Sequence, residues 1–306
     1  MSNTQPPLGA PPSRASLLVT APVESTRPKD AAFLDRLAED LGAGPLNLPC
    51  FPDVVPRVRQ AIADPDSTSD DIVRIAGTEP RLAARLLQTA NSVVFNPSGV
   101  PFSELRSAVT RLGQHLVQSV TMAFALQQLR AEPSLRPVAK QLNALWEKSI
   151  AVASICQVLA NRLRVPSDKV FLTGLLHGIG YFYVMVKAGE RANEVELDQR
   201  FAHLAAARHP AFGRAIMEKW GFERVMCEAV GNQLQYERKP RRAADITDVV
   251  IAGVVLAESF LEGNGDLARC AGVNSFVSLG LSDDELAAIL KHTEHSLSAL
   301  REALGR

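Results

Sequence analysis

The segment Gly174-Leu-Leu-His-Gly-Ile-Gly180 holds a histidine one turn from two glycines, inside an apolar helical stretch that starts near Val170. An imidazole so placed can ligate a metal ion through an unprotonated ring nitrogen. The same spacing has a plainer reading, and spacing alone favours it. Gly174 and Gly178, four apart on one helix face, let a second helix approach closely while His177 hydrogen-bonds in the core. Arg238-Lys239-Pro240-Arg241-Arg242 is the densest basic cluster. Its proline predicts an exposed loop between helices, either merely solvated or docking phosphate or RNA, and the lack of interleaved aromatics weakens the second use. His115, His203, His292 and His295 stand singly among helical positions, and His292 with His295 reads as exposed surface more readily than as a metal pair. Cys50, Cys156, Cys227 and Cys270 lie far apart with no C-x-x-C pairing, so reduced, buried small hydrophobes are expected and not disulfides or a zinc site. No G-x-S-x-G motif occurs and no cysteine has an obvious neighbouring base, so a nucleophile is unsupported.

The elements that must position these groups read as helices. Leu82, Leu86, Leu87 and Ala90 repeat at helical spacing after Thr78-Glu79-Pro80, which predicts a helix of about 14 residues with Thr78 as N-cap. Leu105, Ala108, Val109 and Leu112 continue through Leu116, Val120 and Phe124, with Gly113 marking a bend or junction. Leu142, Leu145, Val152, Ile155 and Leu159 form one stripe of a helix of roughly 25 residues that ends near Val165-Pro166. Ser282-Asp-Asp-Glu285 is a capping box, with Leu286, Ile289, Leu290 and Leu297 on one face beyond it. No segment alternates with period two between hairpin turn signals, so the fold class is all-α. No repeat of 20 to 50 residues is visible, which disfavours a solenoid.

Composition excludes several roles. The 306 residues are 46% apolar, enough for a real core, and 33 Lys+Arg balance 33 Asp+Glu. Neutrality gives no global reason to expect nucleic acid or an anionic membrane as partner. The longest apolar run, Val249–Ala257, is about half of a bilayer span, so no membrane crossing is expected. The N-terminus has neither a basic nor an apolar signal region, and the expected location is the cytoplasm. Six prolines within residues 1–28 predict a disordered tail. The domain then runs over 29–306, with an N-terminal lobe at 44–131 and a C-terminal lobe at 132–306 divided at Ala131-Glu132-Pro133.

Seven separated motifs agree in order and spacing: Leu48-Pro-Cys-Phe-Pro52, Thr78-Glu-Pro-Arg-Leu82, Asn91-Ser92, Ala108-Val109-x-x-Leu112-Gly113, Leu145-Trp146 with Ala151, Gly174 to Gly180, and His209-x-x-x-Gly213 with Trp220. Over roughly residues 44 to 300 the chain resembles the HDOD family, bacterial output domains related to the HD metal-dependent phosphohydrolases. The resemblance implies an HD-like multi-helix bundle in two lobes. In the HD enzymes a first histidine, a His-Asp pair and a later aspartate hold metal that activates water. By the resemblance these places fall at Lys148, His177-Gly178 and Glu258, and the family's frequent His-His pair falls at Gln233-Leu234. Glycine has no donor atom, and a protonated lysine has no lone pair and repels a cation, so no metal, cofactor or catalytic residue is expected. The signature of the cyclic-dinucleotide-cleaving relatives is absent, since Phe182 follows Gly180-Tyr181 without the acidic and histidine ligands. Lys148 lies in the inward stripe of its helix, where it either snorkels to water or pairs with Glu258 or an anionic ligand. The resemblance thus implies a non-catalytic signalling protein that contacts other proteins, with a vestigial groove of Trp146, Lys148, His177, Gly178 and Glu258 open to a small molecule. The rivals are a residual phosphohydrolase using His177 and Glu258 and a nucleic-acid regulator using Arg238 to Arg242.

Overall fold

The computed structural model describes residues 27–44, 52–96, 98–163, 165–240, 243–262 and 267–304. Most of the expected tail, Cys50, Arg241, Arg242 and the side chain of His295 lie outside the described residues. Among the described residues every regular element is helical. These are α1 (Pro28–Ala43), α2 (Val54–Ala63), α3 (Ser69–Ala76), α4 (Pro80–Ala90), α5 (Leu105–Arg130), α6 (Ala139–Leu163), α7 (Ser167–Leu176), α8 (Ile179–Glu190), α9 (Gln199–Lys219), α10 (Arg224–Gly231), α11 (Ile246–Leu261), α12 (Asn274–Leu279) and α13 (Asp283–Leu304), with 3-10 turns at Pro133–Val138 and Leu267–Cys270.

Helices α2 to α5 build one lobe and α6 to α12 the other, and one apolar core runs through both. Gly113 sits at φ 71°, a left-handed value that a side chain disfavours, so α5 is two helical segments joined at a kink. The C-terminal segment of α5 leaves its own lobe to pack on α7. Helix α6 has the expected 25 residues, and from Ser149 to Cys156 it is buried on every side, which makes it the axis of the second lobe. Helix α13 opens on the expected box, where the Ser282 backbone N–H donates to Glu285 Oε2 at 2.8 Å, and it then packs on α6, α4 and α5, spanning both lobes. Helix α4 differs from expectation: it has 11 residues and its cap is Glu79. Thr78 is unavailable for that role because its hydroxyl donates to the Ile75 carbonyl at 2.7 Å, closing α3.

Helix α1 precedes the first lobe in sequence yet lies on α9 of the second. Phe33, Leu34, Leu37 and Leu41 form its buried stripe, and the Phe33 and Phe201 rings meet edge-on at 6.0 Å. Ion pairs flank the stripe, among them Arg27 to Asp198 at 2.9 Å, Lys29 to Glu196 at 2.6 Å and Arg208 to Asp35 at 2.7 Å. Each buried side chain is worth about 1.5–3 kcal/mol and the solvated pairs contribute far less, so apolar burial docks the helix and the charges orient it.

Candidate functional site

The apolar stretch around His177 is two helices and not one. The α7 backbone ends at Leu176, and His177 with Gly178 turns the chain into α8. The turn is closed by the histidine itself, whose Nδ1–H donates to the Gly174 carbonyl at 2.8 Å. A carbonyl can only accept, so the proton is on Nδ1 and Nε2 keeps its lone pair. Burial pushes the His177 pKa down to about 3, the Lys148 charge adds to this, and the Gly174 carbonyl opposes it. The imidazole is therefore neutral. The Gly178 face expected to admit a helix is closed by a side chain: a Cβ there would stand 2.5 Å from Leu145 Cδ1 of α6. At Gly180 a Cβ would overlap the carbonyl of His209 and the amide of Gly213, so α8 and α9 cross with their backbones in contact. That crossing brings His209 beside His177.

His209 is buried and held well below its ordinary pKa, first by burial and then by His177 and Lys148, and its Nδ1 has no hydrogen-bond partner. Gln233, which follows α10, is fully buried; its Nε2 donates to the carbonyls of His177 and Val230, both at 2.8 Å, while its Oε1 lacks a partner. Lys148 Nζ on α6 donates to Glu258 Oε1 on α11 at 2.7 Å. Arg269, from the second 3-10 turn, lies 3.6 Å from Glu258 Oε2 and binds both oxygens of Glu262 at 2.6 and 2.7 Å. Burial and the Glu258 charge push the Tyr236 phenol up, which keeps it neutral. Lys148 and Arg269 thus flank the Glu258 carboxylate, with Arg269 held chiefly by Glu262, and the Lys148 charge is felt at His177 and His209.

Trp146 is not part of this group. Two residues before Lys148 is about 200° around a helix, and the Trp146 ring is fully buried with the Arg130 guanidinium 5.2 Å from its centre. It serves the junction between α5 and α6. The basic loop also departs from expectation at Arg238, which turns inward to Asp245 at 2.8 and 3.0 Å and to Asp248 at 2.9 Å. Asp248 is fully buried, accepts from Ser275 at 2.9 Å, and forms with Asp245 the capping box of α11. A buried carboxylate needs a counter-charge, and Arg238 is its counter-charge. Lys239 is exposed. Cys156, Cys227 and Cys270 are buried and form no disulfide among the described residues. His203 and His292 are exposed, and His115 Nε2 lies 3.6 Å from Asp168 across α5 and α7. Among the described residues no group of three or more His, Cys, Asp or Glu could hold a metal ion. Ser167–Glu190 is long and apolar enough to cross a membrane, but it is 89% buried and broken at His177-Gly178.

Sequence reasoning missed Arg269, His209 and Tyr236 as members of the site. Arg269 lies in a 3-10 turn with no pattern to mark it. His209 carried a signal, since it heads the His-x-x-x-Gly motif whose glycine makes the crossing.

No curated protein matches the chain in sequence. Among solved structures, a protein of Shewanella amazonensis SB2B named provisionally as a metal-dependent phosphohydrolase is similar at 23% identity and TM-score 0.64, over 87% of this chain and 99% of that one. An HDOD domain protein of unknown function from Geobacter sulfurreducens is similar at 24% identity and TM-score 0.57, over 88% and 96%. A protein of Marinobacter aquaeolei VT8 named provisionally for signal transduction follows at 19% and 0.56, over 90% and 66%. These likenesses establish the fold. The HDOD domain model matches residues 48–236, more than half of the sequence, and the chain belongs to the HDOD family.

Proposed function

We propose that this chain is a non-catalytic regulatory protein of the bacterial cytoplasm that acts by contacting signalling partners, with its degenerate HD site reused as a ligand groove. The observation that supports this reading is the Lys148–Glu258 pair at 2.7 Å, between two positions to which the resemblance assigns metal ligands in the HD enzymes. The donor set does not fit a divalent ion. His177 Nε2 is a usable ligand, but Glu258 is engaged by Lys148 and Arg269, whose charges repel a cation. An aspartate at Gly178 would drive its Cβ into Leu145. A stable catalytic site needs three or more protein ligands and an open position. The names of the Shewanella and Marinobacter proteins are compatible with a common scaffold serving either hydrolysis or signalling.

The nucleic-acid reading loses its leading residue, because Arg238 is spent on Asp245 and Asp248. The test is metal analysis and a phosphodiesterase assay on the purified protein, with affinity purification from the native host. Sub-stoichiometric Mn, Fe and Zn, no turnover, and a co-purifying signalling protein are expected. Stoichiometric metal with turnover lost in His177→Ala would overturn the reading.

A further inference from the structure

We propose that the mouth formed by Lys148, Glu258 and Arg269 is a small-oxyanion site whose seat is held by the protein's own Glu258 carboxylate. This rests on the non-catalytic reading above. Two cations from separate elements approach opposite oxygens of one carboxylate, Lys148 at Oε1 (2.7 Å) and Arg269 at Oε2 (3.6 Å). Their side chains are 29% and 32% exposed and that of Glu258 is 27%, so solutes reach all three. Arg269 is held by its bidentate contact to Glu262 and stays in position when Glu258 moves.

Glu258 sits in the last turn of α11, where the helix dipole disfavours a negative charge, so the carboxylate stays there because of the two cations. His177 and His209, which feel the Lys148 charge, are neutral, and His209 Nδ1 and Gln233 Oε1 are buried without partners. A metal cation would be repelled by Lys148 and Arg269. An apolar ligand would desolvate both and return no hydrogen bond. A small carboxylate replaces the Glu258 contact charge for charge, and a phosphate group brings the same kind of acceptor oxygens with a charge of about −1.5 to −2.

The experiment is calorimetric titration at low ionic strength of the full chain with inorganic phosphate and, separately, acetate. Glu258→Gln, which removes the charge from the seat and keeps its shape, is expected to bind phosphate at least tenfold more tightly than the wild type, and adding Lys148→Met is expected to abolish the gain. Phosphate binding without acetate binding assigns the site to phosphate groups; binding of both assigns it to carboxylates as well. In the wild type, saturating phosphate should shift the imidazole NMR signals of His177 and His209, a readout that needs no variant. Equal affinity in wild type and Glu258→Gln, or binding that survives Lys148→Met, would overturn the proposal. Hydrolysis of bis(p-nitrophenyl) phosphate with Mn added separates the two readings. Turnover overturns the non-catalytic reading, whereas no turnover with unchanged affinity overturns the oxyanion site alone.

Discussion

Helix α11 carries an ion pair near each end, and the two differ in burial. At its start, Asp248 is fully buried and the Arg238 side chain is 12% exposed, with Ser275 completing the network. Near its end, Lys148 and Glu258 are both more than a quarter exposed. The chemistry is the same, ammonium or guanidinium against carboxylate, yet the consequences are opposite. Removing one partner of a buried pair leaves an uncompensated charge, while an exposed pair exchanges with water at little cost. The first pair therefore fixes α11 in the fold, and the second is free to be exchanged. One end of α11 is thus an anchor, and the other is a contact that solvent reaches.

The largest effect should come from breaking the buried end. Arg238→Ala is expected to lower the unfolding free energy by about 3–5 kcal/mol, measured by urea denaturation; a loss below about 1 kcal/mol would place Arg238 with the exchangeable pair. Next is the packing of Leu145 against Gly178. Gly178→Ala should cost about 1–3 kcal/mol by overpacking, and combining it with Leu145→Ala should cost less than the sum of the two single changes. Strict additivity would show that Leu145 does not fill that space.

Acid separates the two ends in another way. The His177 pKa is lowered, to about 3, so the unfolded chain binds this proton more readily than the folded one. Stability from this group is complete above the unfolded pKa of about 6.5 and is lost as pH falls toward 3. His209 is displaced in the same direction and has the same sign. The expected slope is up to about 1.4 kcal/mol per pH unit for each histidine, and His177→Gln should flatten it. An unchanged slope would mean that the His177 imidazole is not buried neutral. The smallest effect is expected at the exposed end. Lys148→Met should change stability by no more than about 1 kcal/mol, while raising the His177 pKa through loss of the neighbouring charge, readable by NMR titration.

Much of this architecture was legible in the chain. The periodic stripes locate α5, α6 and α13, the Ser282 box marks the start of α13, and Gly113 marks the kink, because these signals are local. The juxtaposition of Lys148 with Glu258 across 110 residues came from motif alignment, which no periodicity could supply. Arg238 was misread because a basic run resembles a solvated loop until Asp245 and Asp248, seven and ten residues on, are seen to fold back as a capping box. Trp146 was misplaced although its angle from Lys148 was readable. The break at His177 escaped notice because apolar residues continue through it, and only the imidazole bond to Gly174 ends the helix.

Helix α1, clipped onto α9 through Phe33 and its neighbours, has a consequence for how this protein can be divided. The family match begins at residue 48 and stops at 236, leaving out α1 on one side and α11, with Glu258, on the other. A chain trimmed to those limits would uncover Phe201 and strip one flank of α6, exposing apolar surface that invites aggregation. The segment that marks kinship is thus smaller than the segment that folds, and excision of a working piece has to begin before Pro28 and extend through α13.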